Sequence, residues 1–88
     1  MTETVRCCVY RAHRKVDTYL YLRENEPQEN LPEDLRRLLG RLDLVMELEL
    51  HPGRRLARED VTEVMANLRN RGWHLQMPPP RETPILPS

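Results

Sequence analysis

The chain has 88 residues, a formal net charge of +0, 39% hydrophobic residues and 32% charged residues. This length accommodates one small domain with one hydrophobic core, and the apolar content excludes a chain that is disordered throughout. The sequence has no run of about 18 apolar residues, which excludes a membrane-spanning helix. The N-terminus lacks a basic stretch followed by an apolar one, so no secretory signal is visible and a cytoplasmic location is expected.

The first two strands are predicted over residues 5–11 and 16–22, where β-branched and apolar residues predominate. A basic turn separates them, so they are expected to form an antiparallel hairpin. Because successive side chains point to opposite faces of a strand, Tyr19 and Tyr21 are expected on the face opposite Leu20.

The first helix is predicted within residues 31–40. Pro32 suits the first helical position, and Gly40 suits the left-handed position that ends a helix. Helical spacing places three leucines on one stripe that is expected to be buried: Leu35, Leu38 and Leu39.

The third strand is predicted over residues 44–50, where apolar and charged residues alternate. One face is expected to carry four apolar residues: Leu44, Met46, Leu48 and Leu50. The other face is expected to be partly wet and to carry Val45, Glu47 and Glu49.

The second helix is predicted over residues 58–71, beginning with Glu59 and Asp60 and followed by Gly72. Its core-facing stripe follows the i, i+3, i+4, i+7 pattern: Val61, Val64, Met65 and Leu68.

A fourth strand is predicted over residues 73–77. Its inward side chains are expected to be Trp73, Leu75 and Met77, and its outward ones His74 and Gln76.

The element order ββαβαβ predicts a single α+β domain within residues 1–80, with a four-stranded, mostly antiparallel sheet. The two helices are expected to cover the one apolar face of that sheet. Three consecutive prolines follow the last strand, and residues 81–88 are expected to form an extended or disordered tail.

Four segments in this order, VYR at 9–11, DTYLY at 17–21, LAREDV at 56–61 and GWHLQMPP at 72–79, resemble the YcgL domain family of bacterial proteins. The resemblance implies a compact α/β/α sandwich in a small cytosolic protein, and it implies no particular activity. Several family members continue after the Pro-Pro segment into a further helical stretch. The face carrying Tyr19, Tyr21 and Val45 is therefore expected to be barer in this chain.

The candidate binding surface is a basic ridge in the hairpin turn, extended by arginines before the second helix and flanked by two tyrosines. Its residues are Arg11, His13, Arg14, Lys15, Tyr19, Tyr21, Arg54, Arg55 and Arg58. Cations and aromatic rings together could hold single-stranded RNA weakly, through its backbone and through stacking. However, the fourteen cations are matched by fourteen carboxylates, so no global field attracts a polyanion, and no DNA specificity is expected.

Binding to a protein partner or to a second copy is expected ahead of RNA binding, because neither requires net positive charge. Catalysis is not expected, since Ser88 is the only serine and no arrangement of nucleophile, base and oxyanion donor is visible. The three histidines have no spacing that would chelate a metal, and no cofactor motif is present. Cys7 and Cys8 are adjacent and are interpreted as reduced, small apolar residues of a strand. The sequence therefore predicts a non-catalytic binding or adaptor module.

Overall fold

The structure is a computed structural model that describes residues 4–56 and 59–78. Its elements follow the predicted order, and the α+β fold class is confirmed. The elements are β1 Val5–Ala12, β2 Tyr19–Arg23, a short 3₁₀ turn Gln28–Asn30, α1 Glu33–Leu39, β3 Leu42–Leu50, α2 Val61–Arg71 and β4 Trp73–Gln76. The predicted tail, residues 81–88, lies outside the described residues.

The four strands form one sheet in the order β3-β1-β2-β4, and every neighbouring pair is antiparallel. β1 is central: Val9 lies opposite Tyr21 of β2 on one side and opposite Met46 of β3 on the other. Among the described strands, β3 and β4 are the edges of the sheet.

The two helices cover opposite faces of the sheet. Residues of α2 pack on β1, β2 and β3 in one buried cluster, which comprises Val5, Cys7, Val9, Tyr21, Leu50, Val61, Val64, Met65 and Leu68. The second cluster joins the segment around α1 to the other face and comprises Ala12, Leu20, Leu22, Leu31 and Leu39. The prediction of one apolar face under both helices is wrong, because β1 and β2 carry apolar side chains on both sides. The sandwich implied by the family resemblance is the arrangement observed.

Both ends of α2 are set by local hydrogen bonds. The Asp60 carboxylate accepts a bond from the Thr62 backbone N–H at 2.9 Å, which satisfies a donor that the first turn leaves unpaired. Gly72 ends the helix with a φ of 87°, in the left-handed region that glycine adopts without steric cost. The helix begins at Val61 and not at residue 58, because Asp60 has an extended backbone conformation.

Helix α1 has only seven residues, and its predicted stripe is not fully buried. Leu39 is 0% exposed, whereas Leu38 is 43% exposed, so the prediction that Leu38 is buried is wrong. A helix of two turns presents only a narrow stripe to the sheet, and Leu31, which precedes the helix, completes that contact.

A β-bulge in β3 changes the faces predicted for that strand. Val9 pairs with Met46 whereas Tyr10 pairs with Leu44, so Val45 is an extra residue. Since opposite residues in a sheet share a face, Leu44 lies on the face of α1 and Met46 lies on the face of α2. The prediction that these two residues share one face is wrong, because alternation does not reveal an inserted residue.

The second and fourth strands are shorter than predicted. β2 begins at Tyr19 and not at residue 16, because Asp17 takes a positive φ of 55° in the turn and Val16 is 83% exposed. Strand β4 ends at Gln76, and Met77, predicted to point inward, is 52% exposed.

Candidate functional site

A groove of about 340 Å³ crosses the α2 face of the sheet where the helix does not cover it. It spans all four strands and is bounded on one side by the loop that leads from β3 to α2. Its apolar lining is Val9, Met46, Leu48 and Leu56, and its polar lining is Asp17, Tyr19, Tyr21, Arg54, Arg55 and Gln76. An apolar floor with a few polar groups at its margins is typical of a binding site.

The groove brings together four of the predicted site residues: Tyr19, Tyr21, Arg54 and Arg55. The Arg54 guanidinium donates a hydrogen bond to the backbone oxygen of Glu49 at 3.2 Å, and this bond fastens the loop to the end of β3. Four other described residues of the predicted ridge do not line the groove: Arg11, His13, Arg14 and Lys15.

The first residues of the hairpin turn contact the segment around α1, whereas Asp17 of the same turn lines the groove. The backbone N–H of His13 donates to the Arg41 oxygen at 2.8 Å, and the Arg14 guanidinium donates to the Arg37 oxygen at 3.1 Å. His13, Arg14 and Lys15 are all exposed there. The predicted ridge is therefore divided between two surfaces.

Two further residues of the predicted surface have different placements. Arg11 is exposed on β1, opposite Tyr19 of β2 and Asp43 of β3. Arg58 lies outside the described residues.

Tyr21 is a buried residue of the sheet and not an exposed ring. It is 6% exposed, and its hydroxyl donates a 2.8 Å hydrogen bond to Oε1 of Gln76. Burial raises the pKa of the phenol above its ordinary value, and the nearby Glu59 carboxylate adds to the shift. The expectation that the face of Tyr19 and Tyr21 is bare is wrong for Tyr21, because α2 packs over that part of the sheet. Tyr19 is half-buried at the margin of the groove.

Sequence reasoning missed a polar cluster beneath α2 that centres on His74. Its ring lies edge-on to Tyr21 with centroids 5.7 Å apart, its Nε2 lies 3.1 Å from Oε1 of Glu59, and its Nδ1 lies 2.9 Å from the amide nitrogen of Asn67. With the amide nitrogen of Asn67 directed at Nδ1, Nε2 is left to face the Glu59 carboxylate, so each ring nitrogen has a polar partner. Both ring nitrogens are thus engaged in holding β4 to α2.

The prediction that His74 points outward is wrong, since it is 6% exposed. Alternation places Trp73 in the core and His74 in solvent. Because both faces of this sheet are covered, either residue can be buried. Trp73 is half-buried on the other face, where the Arg71 guanidinium lies 3.9 Å from the ring centroid. The sandwich implied by the family resemblance was a signal for a buried His74, because helices on both faces of the sheet cover the side chains of both faces.

The outer edge of β3 carries three consecutive exposed apolar residues. Leu44 is 57% exposed, Val45 45% and Met46 47%. Among the described residues, no strand pairs with β3 on this side. Met46 also lines the groove, so the edge and the groove form one continuous surface.

Two kinds of feature are absent from the described part of the chain. Within residues 4–56 and 59–78, no three His, Cys, Asp or Glu side chains are grouped as metal ligands. In the same part of the chain, neither helix has the length and apolar character needed to cross a bilayer.

The family model of the YcgL domain matches residues 7–79. The chain belongs to the YcgL domain family. It is 47% identical over 77 residues to a YcgL domain-containing protein of Thioalkalivibrio sulfidiphilus, covering 88% of this chain and 95% of that protein. Relatives in Azotobacter vinelandii and Pseudomonas putida GB-1 are 42% and 45% identical, covering 86% and 83% of this chain and 78% and 75% of theirs. Their names specify the domain and no activity.

The two cysteines of this YcgL domain differ in burial. Burial raises the pKa of the Cys7 thiol from 9.0 to about 11, and the adjacent Cys8 adds to the shift. We expect iodoacetamide at about pH 8 to alkylate half-buried Cys8 and to spare Cys7 in the folded protein, because the thiolate is the nucleophile. Fragment-ion mass spectrometry distinguishes the two sites.

The same shift has a consequence for stability. The folded state retains the Cys7 proton more firmly than the unfolded state, so this contribution to stability is full below pH 9.0 and is lost as the pH rises towards 11.

In denaturant, both cysteines should be alkylated. Equal alkylation of Cys7 and Cys8 in the folded protein would contradict the burial of Cys7.

Proposed function

We propose that this YcgL domain is a non-catalytic protein-binding module that captures an extended segment of a partner by strand addition to β3. The observation that carries the proposal is the run of exposed apolar residues on the outer edge of that strand, 44–46. Such an edge presents unpaired backbone N–H and C=O groups together with apolar surface, which is the combination that strand addition uses.

The position of the apolar run supports binding and not packing within the domain. Both buried clusters are complete without Leu44, Val45 and Met46. Soluble proteins usually protect edge strands with charges or bulges. Here the bulge at Val45 interrupts only the middle of this nine-residue strand, and Glu47 and Glu49 charge only its α1 face. The regular half after the bulge keeps the geometry that an added strand needs.

The groove supports a binding site that extends beyond the strand edge. Met46 and Leu48 belong to β3 and also line the groove. A side chain of the added segment that projects on the α2 face would meet this apolar lining, next to Leu56. The backbone of the partner would then supply hydrogen bonds, and its side chains would supply selectivity.

The His74 cluster supports a role without catalysis. A general base needs a ring nitrogen within reach of a substrate proton, and the Nδ1 and Nε2 of His74 are both engaged, with Asn67 and Glu59. Tyr21 is likewise bonded to Gln76 and keeps its proton. These groups fasten the layers of the domain together.

RNA binding is the second hypothesis, and the geometry favours it less. Stacking requires an exposed ring face, which Tyr21 does not offer. Arg14 of the hairpin turn is bonded to α1, and it does not line the groove that holds Arg54 and Arg55. Only Tyr19 remains as a partly exposed ring beside those arginines.

The proposal predicts that Val45→Lys weakens partner capture at least tenfold without unfolding the domain. Lysine on an edge strand is tolerated in water, but in an apolar contact its burial costs about 1.4 kcal/mol or more, which is tenfold or more in affinity. For the measurement, Leu44 is replaced by a photo-reactive residue, and the protein is crosslinked in a lysate of Pseudomonas putida. The lysate is used with and without nuclease treatment. We expect a protein adduct that survives nuclease and is strongly reduced in Val45→Lys.

Leu38→Lys is the matched control, because Leu38 is exposed to a similar degree but lies on α1. It should leave the adduct unchanged. An adduct that disappears with nuclease would favour RNA. An adduct equally strong in Val45→Lys and in the unsubstituted protein would refute binding at this edge.

A further inference from the structure

The regular half of β3, residues 46–50, pairs with β1 without interruption. Glu47 lies opposite Cys8 and Glu49 lies opposite Arg6, so both glutamates are on the α1 face. Met46 and Leu48 alternate with them and face the groove on the other side. A strand added here would therefore meet acidic and apolar positions in alternation.

The two glutamates differ in what already neutralises them. Nε of Arg6 lies 3.2 Å from Oε2 of Glu49, and Nη1 of the same arginine lies 3.9 Å from Glu24. Within the described residues, Glu47 is exposed and has no ion pair. Three carboxylates and one guanidinium thus line a shallow hollow of about 360 Å³ beside the strand edge.

A second copy of this chain fits this edge poorly. Antiparallel pairing about a two-fold axis at Leu48 would place Glu47 of one copy opposite Glu49 of the other. An axis at Glu47 would place two Glu47 side chains opposite each other. Like charges directly opposite each other destabilise a sheet, so both of these self-pairing registers are disfavoured.

We infer that the segment that adds to β3 alternates apolar and basic residues, with a lysine or arginine opposite Glu47 and apolar side chains beside Met46 and Leu48. This inference rests on the proposed function and specifies its partner. The cation would reach the carboxylates of the hollow on the α1 face. The apolar side chains would enter the groove on the α2 face.

The test uses two capped peptides that differ in one residue, Thr-Val-Lys-Val-Thr and Thr-Val-Glu-Val-Thr. Amide shifts in ¹⁵N NMR spectra locate each peptide and give its affinity. We expect both to shift the β3 amides, with the lysine peptide binding about 2- to 5-fold more tightly, the factor typical of one cross-strand charge pair. Glu47→Lys should reverse this preference.

Glu63→Lys is the matched control, because it makes the same charge change on an exposed position of α2. It should retain the preference for lysine. Equal affinity of the two peptides at β3, or a lysine preference that persists in Glu47→Lys, would overturn the inference and leave strand addition standing. No shift of the β3 amides with either peptide would count against the proposed function itself. Shifts of the β3 amides that grow with protein concentration alone would indicate self-pairing and overturn the inference.

Discussion

Leu39→Ala is expected to lower the free energy of unfolding by about 2–5 kcal/mol, the range for truncating a fully buried leucine. Leu39 is 0% exposed and packs with Leu20 and Leu22 on the α1 face of the sheet. Leu68→Ala, on the α2 face, should cost a similar amount. Urea denaturation followed by circular dichroism measures both.

The comparison tests whether both faces of the sheet are covered. Leu38→Ala is the control, because Leu38 is the neighbouring residue of α1 and is 43% exposed. Its truncation should lower the free energy of unfolding by much less than the truncation of Leu39. If Leu39→Ala cost no more than Leu38→Ala, helix α1 would not be packed on the sheet, and the sandwich would be refuted.

His74→Ala is expected to cost about 2–4 kcal/mol, because it removes a buried ring and leaves two polar side chains without a partner. Those side chains are Asn67 on α2 and Glu59 before it. The side chain of His74 is 8% exposed and that of Glu59 22% exposed, so water can reach the glutamate and limit the loss. Thermal unfolding at neutral pH measures the effect.

His13→Ala is the matched control for this prediction. His13 is exposed in the hairpin turn, and its side chain has no described partner, so the change should stay within about 0.5 kcal/mol. A second measurement is amide exchange in β4, which should rise in His74→Ala. If His74→Ala were as stable as His13→Ala, the buried hydrogen bonds would not hold β4 to α2.

Local signals in the sequence were sufficient for the buried stripe and the C-terminal end of α2, whereas its start was predicted three residues before Val61. Asp60 and Gly72 determine its ends by side-chain capping and by a left-handed backbone, and both effects act within a few residues. The buried stripe of Val64, Met65 and Leu68 follows from helical spacing alone. The element order of the whole chain was predictable for the same reason.

The faces of the strands were less predictable. Alternation assigns side chains to two sides, but it does not say whether one side or both are covered. Alternation therefore assigns His74 to solvent, although α2 buries it. The bulge at Val45 also left the sequence pattern unchanged while it moved Leu44 and Met46 to different faces.

The candidate site was predictable only in part. Tyr19, Arg54 and Arg55 were identified as surface residues, and the structure places them around one groove. The hairpin turn was grouped with them because it is basic, yet backbone hydrogen bonds attach it to the end of α1. The exposed edge of β3 requires knowledge of strand order, which the sequence does not supply.

The sequence by itself determined the order and type of the helices and strands, because capping, helical spacing and alternation are interactions between near neighbours in the chain. The tertiary structure alone decided that β3 is an edge, that α1 and α2 take opposite faces, and that His74 meets Glu59 and Asn67. Those outcomes depend on contacts between distant segments, whose free energy is gained only when the whole sheet is assembled.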